Sequence, residues 1–366
     1  MTSHHTALQE AILTGHTKVS PTLLSSASQC GRKGLLGLIS PPEGNIHFDY
    51  GHAFGAAAAA LFKYAHKGEE IAKGYAYKEA VPFCREMYYP AVKHQSGKTW
   101  RLLLGALDVV WHFAEAQMKF WDYHSSEVQT TLSVGEGEED GVPYMLGGAY
   151  DLRMVNKETG EHLIVDFKAI QGSFMYSWPT EPQTPFYTIL NATADRIRGK
   201  SYEWSPETAY YVHETKSADK IFTIHKTNPM FYVRHLEPYM KWAISKGKEL
   251  RTLAYVPDYF DSVMATAQVN PHNCSRGGYQ CDQYKICGDP TMQKPRYTAN
   301  TDDRVYISSE VVRCRTTDIM ETIRIMAEKA EDRHKVTKME VRPLTDDDLV
   351  ELNQLGSLDP DTLFGG

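Results

Sequence analysis

Several things are scarce in this chain of 366 residues. No run of about 18 apolar residues occurs, the length a membrane-crossing helix needs. The longest candidate, AFGAAAAALF at Ala53–Phe62, is short and alanine-rich. The start, MTSHHTALQEAILTGH, has no basic segment followed by an apolar one, so no secretory leader is expected and a cytoplasmic protein is. Cysteine is sparse, six residues in all, too few for a disulfide scaffold of this size. Basic charge is not in excess either: the net charge is −7, which argues against wholesale coating of nucleic acid.

Two local departures stand out. From Arg196 to Arg251 there are 11 basic and 6 acidic residues, a local excess of positive charge read either as a nucleic-acid-facing region or as a solvated helical face. The acidity lies elsewhere, in GEGEED (Gly135–Asp140) and near the C-terminus. Three of the six cysteines, Cys274, Cys281 and Cys287, crowd together, which in a cytosolic chain suggests metal rather than disulfides.

Periodicity divides the chain into helices, then a small sheet, then helices again. Helical stretches are expected at 50–66, 76–92 and 100–122, then at 182–197, 229–251 and 316–333. The last carries Ile319, Ile323, Met326 and Ala330 on one face. Strands are expected at 128–134, 144–155, 161–170, 209–214 and 221–226. The fold class is α/β, a small mixed sheet flanked by helices. The organisation expected is a helical N-terminal region (1–125), a core (126–260), a cysteine-rich segment (261–295) and a C-terminal helix with an acidic tail (296–366). The tail's apolar tip, Leu363 and Phe364, reads either as disordered tail or as a docking element.

EHLIVDFKAIQG (Glu161–Gly172) puts a carboxylate and an amine inside an apolar strand. Alternation places Leu163, Val165 and Phe167 on one face, read as core, and Ile164, Asp166 and Lys168 on the other. In the preceding strand Asp151 and Arg153 share one face, and Tyr150, Leu152 and Met154 the other. The connection NKETGE (Asn156–Glu161) is rich in turn formers. A hairpin centred on Glu158–Thr159 sets Asp151 directly across from Asp166, their Cβ atoms about 4.5–5.5 Å apart. Two carboxylates that close repel unless a cation lies between them. Mg²⁺ is a natural occupant, since it prefers carboxylate oxygens and water. Lys168 would then orient or help deprotonate a water, or offset developing negative charge. A surface ion pair on an edge strand is the plainer reading of Asp166 and Lys168.

GGAYDLR and EHLIVDFKA together resemble the core of the PD-(D/E)XK nuclease superfamily. The likeness is greatest to its RecB-like branch, which includes the CRISPR-associated and AddB-type exonucleases. YGHAFGAAAAALF resembles that branch's early helix, PQTPFY its Gln-x-x-x-Tyr signature, and VSPTLLSSASQCGRKGLL its N-terminal signature. The resemblance implies Asp151, Asp166 and Lys168 as catalytic residues. It implies Mg²⁺ or Mn²⁺ on Asp151, Asp166 and the Phe167 carbonyl with His52 as a further ligand, and Gln183 and Tyr187 as DNA-contacting or site-lining residues. It also implies a 4Fe–4S cluster on Cys30, Cys274, Cys281 and Cys287, with zinc as the alternative. The cysteine spacing departs from the family's tighter form, since Gly278 stands where a cysteine is usual and Gly31 replaces a proline. A loop at Gly277–Gly278 must therefore fold back to bring Cys274 in. Cys84 and Cys314 are left over and read as buried or incidental. The implied function is a metal-dependent DNA exonuclease of recombination, repair or phage DNA processing. A catalytically inactive DNA- or partner-binding module and an endonuclease of the same superfamily are the alternatives. DNA ends or single strands are the expected partner, a replication or recombination protein a further one through the tail, and no membrane is expected.

Overall fold

The computed structural model describes residues 9, 18–31, 33–35, 46–84, 98–135, 144–170, 182–214, 221–226, 232–266, 275–276, 279–280, 307–308 and 311–340. Among them no helix is long and apolar enough to cross a membrane.

Among the described residues the N-terminal half supplies α1 (Pro21–Gln29), α2 (Ile46–Tyr64), α3 (Glu69–Ala80) and α4 (Lys98–Gln117). Ser20 caps α1, its hydroxyl accepting from the Leu23 N–H at 3.3 Å, and Pro21 begins the first turn where no N–H is needed. The alanine run makes α2 both a good helix and a thin one, so Ala53, Ala57, Ala58, Leu61 and Phe62 all sit fully buried against its neighbours. Helix α3 docks through Ala72, Ala76 and Ala80, one turn apart. It begins seven residues before the expected start because Gly68, at φ 92°, turns the chain ahead of an acidic first turn.

The sheet is mixed, as expected. Its order is β5 (Ile221–Lys226), β4 (Thr208–Glu214), β3 (His162–Ile170), β2 (Tyr144–Asn156), β1 (Trp121–Val134) and β8 (Ile307–Ser308). A further short strand, β9 (Val312–Cys314), also pairs with β1. The β1–β2, β2–β3 and β4–β5 pairs are antiparallel, while β3–β4 and the pairings of β8 and β9 with β1 are parallel. Strand β1 starts seven residues earlier than its apolar pattern indicates. Its first half, WDYHSSE, is polar and carries a register shift between Tyr123 and Ser125. The β2–β3 turn follows its chemistry. Asn156 accepts through Oδ1 from the N–H groups of Glu158 and Thr159, both at 2.9 Å, and Gly160 takes φ 71°.

Further helices among the described residues are α5 (Gln183–Ile197), which connects β3 to β4, α6 (Glu237–Tyr255), α7 (Pro257–Thr266) and α8 (Thr316–Glu340). A π-helical turn, Tyr232–Leu236, leads into α6. On α8 the expected face is buried: Ile319, Ile323, Met326 and Ala330.

Both faces of the sheet are covered, which corrects the expectation of one core face and one charged face. Leu152, Met154, Leu163, Val165 and Phe167 pack with α2, α3 and α4. Ile164 packs on the opposite side with α5, α6 and α8, and Tyr150, expected on the face of Leu152 and Met154, joins it there instead. Ile164 is fully buried, so charges on that face enter a second core rather than solvent.

Candidate active site

The hairpin register is the one the turn implies. Val155 pairs with His162, Met154 with Leu163, Arg153 with Ile164 and Leu152 with Val165. One further step would set Asp151 against Asp166, but the ladder ends there. The Phe167 N–H donates instead to Asp151 Oδ2 at 2.7 Å. The strands thus part where the two carboxylates lie, and β3 goes on alone with β4 through Ile170. Val19 takes over the vacated edge of β2: its N–H donates to the Met145 carbonyl at 2.9 Å and its carbonyl accepts from Gly147 N–H at 3.0 Å.

This fork is buried. Asp151 is 9% exposed and Asp166 3%. Since β3 is a central strand and Asp166 is buried, the surface-pair reading does not hold. Lys168 reaches Asp166 Oδ2 at 2.5 Å and donates to Gln183 Oε1 at 3.0 Å. The amide of Gln183 donates to Asp166 Oδ1 at 3.3 Å and to the Tyr187 hydroxyl at 3.2 Å. Gln183 and Tyr187, one turn apart on α5, thus line the site, and Gln183 ties the carboxylate and the ammonium together. Gly148 leaves room for this: a Cβ there would fall 2.2 Å from Cε1 of Tyr187. The tyrosine ring therefore crosses bare backbone of β2. Asn191 braces the same helix, donating to the Tyr187 carbonyl at 2.8 Å and accepting from the Thr130 hydroxyl at 2.7 Å.

The donors at the fork suit a hard divalent cation: two nearly buried carboxylates with the Phe167 carbonyl in the same strand. Among the described residues no group of three or more His, Cys, Asp or Glu side chains is gathered to hold a metal. That is compatible with Mg²⁺, which is commonly held by one or two carboxylates and completed by waters and substrate phosphate. His52 lies on α2, half-buried, its ring edge-on to Phe83 with centroids 5.8 Å apart.

Cys30 follows the last turn of α1 and is half-buried, while Cys84 and Cys314 are buried. Cys274, Cys281 and Cys287 lie outside the described residues, as does the tail from Pro343. Gly277 and Gly278, where a loop was expected to fold back, also lie outside the described residues; on either side of them β6 (Ser275–Arg276) and β7 (Tyr279–Gln280) pair antiparallel, Ser275 opposite Gln280. In the basic region, Arg196 pairs with Asp318, Lys200 with Asp195, Lys241 with Glu237 and Lys246 with Glu249. Each of the four has a carboxylate beside it, Lys200 sharing Asp195 with Arg153.

Three features escaped the sequence pattern. Glu127, flanked by the pairs Ser126–Leu152 and Val128–Tyr150, sits opposite Asp151 at φ 52°, a left-handed conformation uncommon for glutamate. Only its place in a polar stretch of β1 hinted at it. Arg153 is buried and ion-paired to Asp195 at 3.2 Å, its guanidinium 4.2 Å from the Trp204 ring centroid. The polar side of α1 faces Lys168 and Gln183, a tertiary fact with no local signal.

No protein-family model matches this chain, and no curated protein does. Among solved structures it is similar to a "Putative exonuclease" from Eubacterium rectale, at 14% identity and a TM-score of 0.38, over 68% of this chain and 84% of that one. It is also similar to SSO0001, at 11% identity and a TM-score of 0.20, over 47% of this chain and 65% of the other. Likenesses this distant assign no role to any residue, and the chemistry rests on the fork itself.

Proposed function

We propose that the protein is a metal-dependent DNA exonuclease of the RecB-like type. One observation carries the reading: a buried carboxylate, Asp166, and an ammonium, Lys168, meet at 2.5 Å where the hairpin opens beside a second buried carboxylate, Asp151. Such a set is costly to bury without a task, because like charges repel and desolvated charges need partners. Asp151, Asp166 and the Phe167 carbonyl would hold Mg²⁺ or Mn²⁺, with His52 as a further ligand. A divalent cation bound there supplies Lewis acidity and a water of lowered pKa. Lys168, held between two oxygen acceptors, offsets negative charge gathering on the phosphate during attack. Gln183 sets the distance between Asp166 and Lys168, and Tyr187 sets Gln183.

The cysteines belong to the same proposal. Cys30, Cys274, Cys281 and Cys287 would hold a 4Fe–4S cluster, or zinc, linking the start of the chain to its far end. The β6–β7 reversal supports this, since Cys274 and Cys281 are each one peptide bond from a paired residue, Ser275 and Gln280. Anaerobically purified protein should then absorb broadly near roughly 400 nm, as thiolate-ligated iron–sulfur centres do. Colourless protein with stoichiometric zinc would replace the cluster with zinc.

The function itself is tested with end-labelled linear DNA in Mg²⁺ or Mn²⁺. Lys168→Ala should lower the rate by about 10²–10³-fold, the scale of losing one preorganised charge from a transition state. A Lys168→Ala variant with wild-type rates removes the reading. Cutting of closed circular DNA would replace exonuclease with endonuclease.

A further inference from the structure

The fork opens onto a groove. Helix α1 forms one wall and Lys168, Gln183 and Tyr210 the other, around a volume of about 330 Å³. That is within the range of about 300–1,000 Å³ typical of ligand sites. Along α1 the lining residues follow helical spacing. Thr22, Ser25, Ser26 and Gln29 fall at steps of three, one and three, which is one face, and Lys33 lines the groove from beyond Cys30, whose extended backbone ends the helix. Leu24, off this face, is fully buried. An amphipathic helix ordinarily gives its polar side to bulk water; this one gives it to the candidate active site.

The wall is held in place. Ser20 caps α1, and Val19 bridges to β2 beside Leu146. Gly147 has no side chain where a Cβ would meet Cδ of Lys18 at 2.7 Å. Lys33 Nζ reaches Gln29 Oε1 at 3.4 Å, so the ammonium leans back along the groove. Among the described residues lining it, the charged ones are Lys33 and Lys168, and no carboxylate is present. Hydroxyls, an amide and ammonium groups are the usual donors to phosphate oxygens in protein–DNA contacts. From Thr22 to Gln29 is about 10 Å at 1.5 Å per residue, comparable to roughly three nucleotides at 3.4 Å each.

We propose that this groove is the subsite for the backbone of the DNA strand being cut. Ser25, Ser26, Gln29 and Lys33 hold the phosphodiesters next to the scissile one. The inference rests on the reading of the fork as a DNA-cleaving centre. It adds that the strand runs along α1, not along the basic residues of α5 and α6, and that its grip is blind to base sequence.

The test measures kcat and KM for wild-type protein, Lys33→Ala and the double variant Ser25→Ala/Ser26→Ala, on end-labelled DNA over a salt series in Mn²⁺. Lys33→Ala should raise KM about tenfold, the scale of one charge-assisted contact, with kcat changed less than about twofold. Its log KM against log salt should lose about 0.7–0.9 of slope, the share of one phosphate. The serine pair should raise KM with the slope kept. Melting temperatures establish that each variant folds, and Lys33→Gln, which keeps an amide beside Gln29, should show the same loss of slope. A merely structural lysine would not move that slope. Wild-type KM and slope in both Lys33 variants, with wild-type protein digesting DNA, overturns the subsite and leaves the fork standing. A loss confined to particular sequences overturns it too. Wild-type protein that digests no DNA in Mg²⁺ or Mn²⁺ overturns the fork and the subsite together.

Discussion

On one side of the sheet, α2 lays an alanine surface and two phenylalanines against β3 and β4. Phe54 meets Phe167 edge-on with centroids 6.2 Å apart, Phe62 sits 6.1 Å from the same ring, and Phe62 stacks on Tyr211 at 5.7 Å. On the other side, α5 crosses β1, β2 and β3 with a series of polar contacts. Gln183 joins Asp166, Lys168 and Tyr187, Asn191 meets Thr130, and Asp195 meets Arg153. Thr193 continues the series, donating to the Thr322 hydroxyl on α8 at 3.0 Å. The first face gains from every buried methylene and tolerates small shifts. The second must satisfy each polar group and therefore specifies position. Chemistry that needs side chains held to a fraction of an ångström lies on the second face, backed by a first face that anchors the strand.

The contrast can be broken most forcefully at Asp166. Asp166→Asn should reduce DNA digestion by about 10³-fold, yet should move the melting temperature little, because relief of the repulsion between two neighbouring buried carboxylates offsets the loss of the Lys168 ion pair. Across the strand, Phe62→Ala should do the reverse. It removes a fully buried ring and should cost about 3–5 kcal/mol of stability, a large part of the 5–15 kcal/mol a domain of this kind holds. The rate per folded molecule, measured well below the melting point, should stay near wild type. Equal losses of rate and stability in both variants would mean that the two faces are not divided this way.

A smaller effect should follow from Gly148→Ala, which acts on the polar face without touching a charge. The new methyl would fall 2.2 Å from the Tyr187 ring, so the ring must move and its hydroxyl leaves the Gln183 amide. Overpacking of this sort costs about 1–3 kcal/mol. Displacing Gln183 should lower the rate about tenfold, since small misplacements are felt strongly at a reacting centre. A variant that melts earlier but digests DNA at the wild-type rate would detach Tyr187 from the site.

The hairpin was legible because its turn states its own centre: Asn156 and Gly160 are turn residues for local reasons, and the register follows by counting. The end of the ladder was not, because a carboxylate replacing a backbone partner is a contact between Asp151 and Phe167, 16 residues apart. The two-sided burial of β3 was hidden by the charges themselves. Asp166 and Lys168 made one face look solvent-facing, whereas α5 covers it with Gln183 and Tyr187. The helices read from apolar period alone were found where apolar residues dominate, as on α8. The start of α3 and the first half of β1 rest on a glycine turn and on polar residues, and were misplaced accordingly. Strands β8 and β9 are two and three residues long and exist through pairing with β1, which no local pattern announces.

The smallest effect belongs to pH, at the far end of the polar face. Arg153 Nε–H donates to His162 Nδ1 at 2.8 Å, which requires a neutral ring with its lone pair on that nitrogen. Burial, then the Arg153 charge and then His124, push the His162 pKa down to about 3; burial, Arg153 and Lys200 push His124 down to about 4. Both start from 6.5 in the unfolded chain. As pH falls below 6.5, the unfolded chain takes up protons that the folded protein refuses until about pH 4 and 3. The stability these rings contribute is therefore complete above pH 6.5 and is lost as pH falls toward 4 and below. Melting temperature should decline by a few degrees between pH 7 and 4.5, and His162→Asn, whose side-chain oxygen can still accept from Arg153, should flatten part of that slope. On the apolar face His213 stacks on Phe54 at 5.0 Å, away from Arg153 and Lys200. If His162→Asn keeps the full wild-type slope, the pH response comes from elsewhere, and the polar face holds its histidine without consequence for folding.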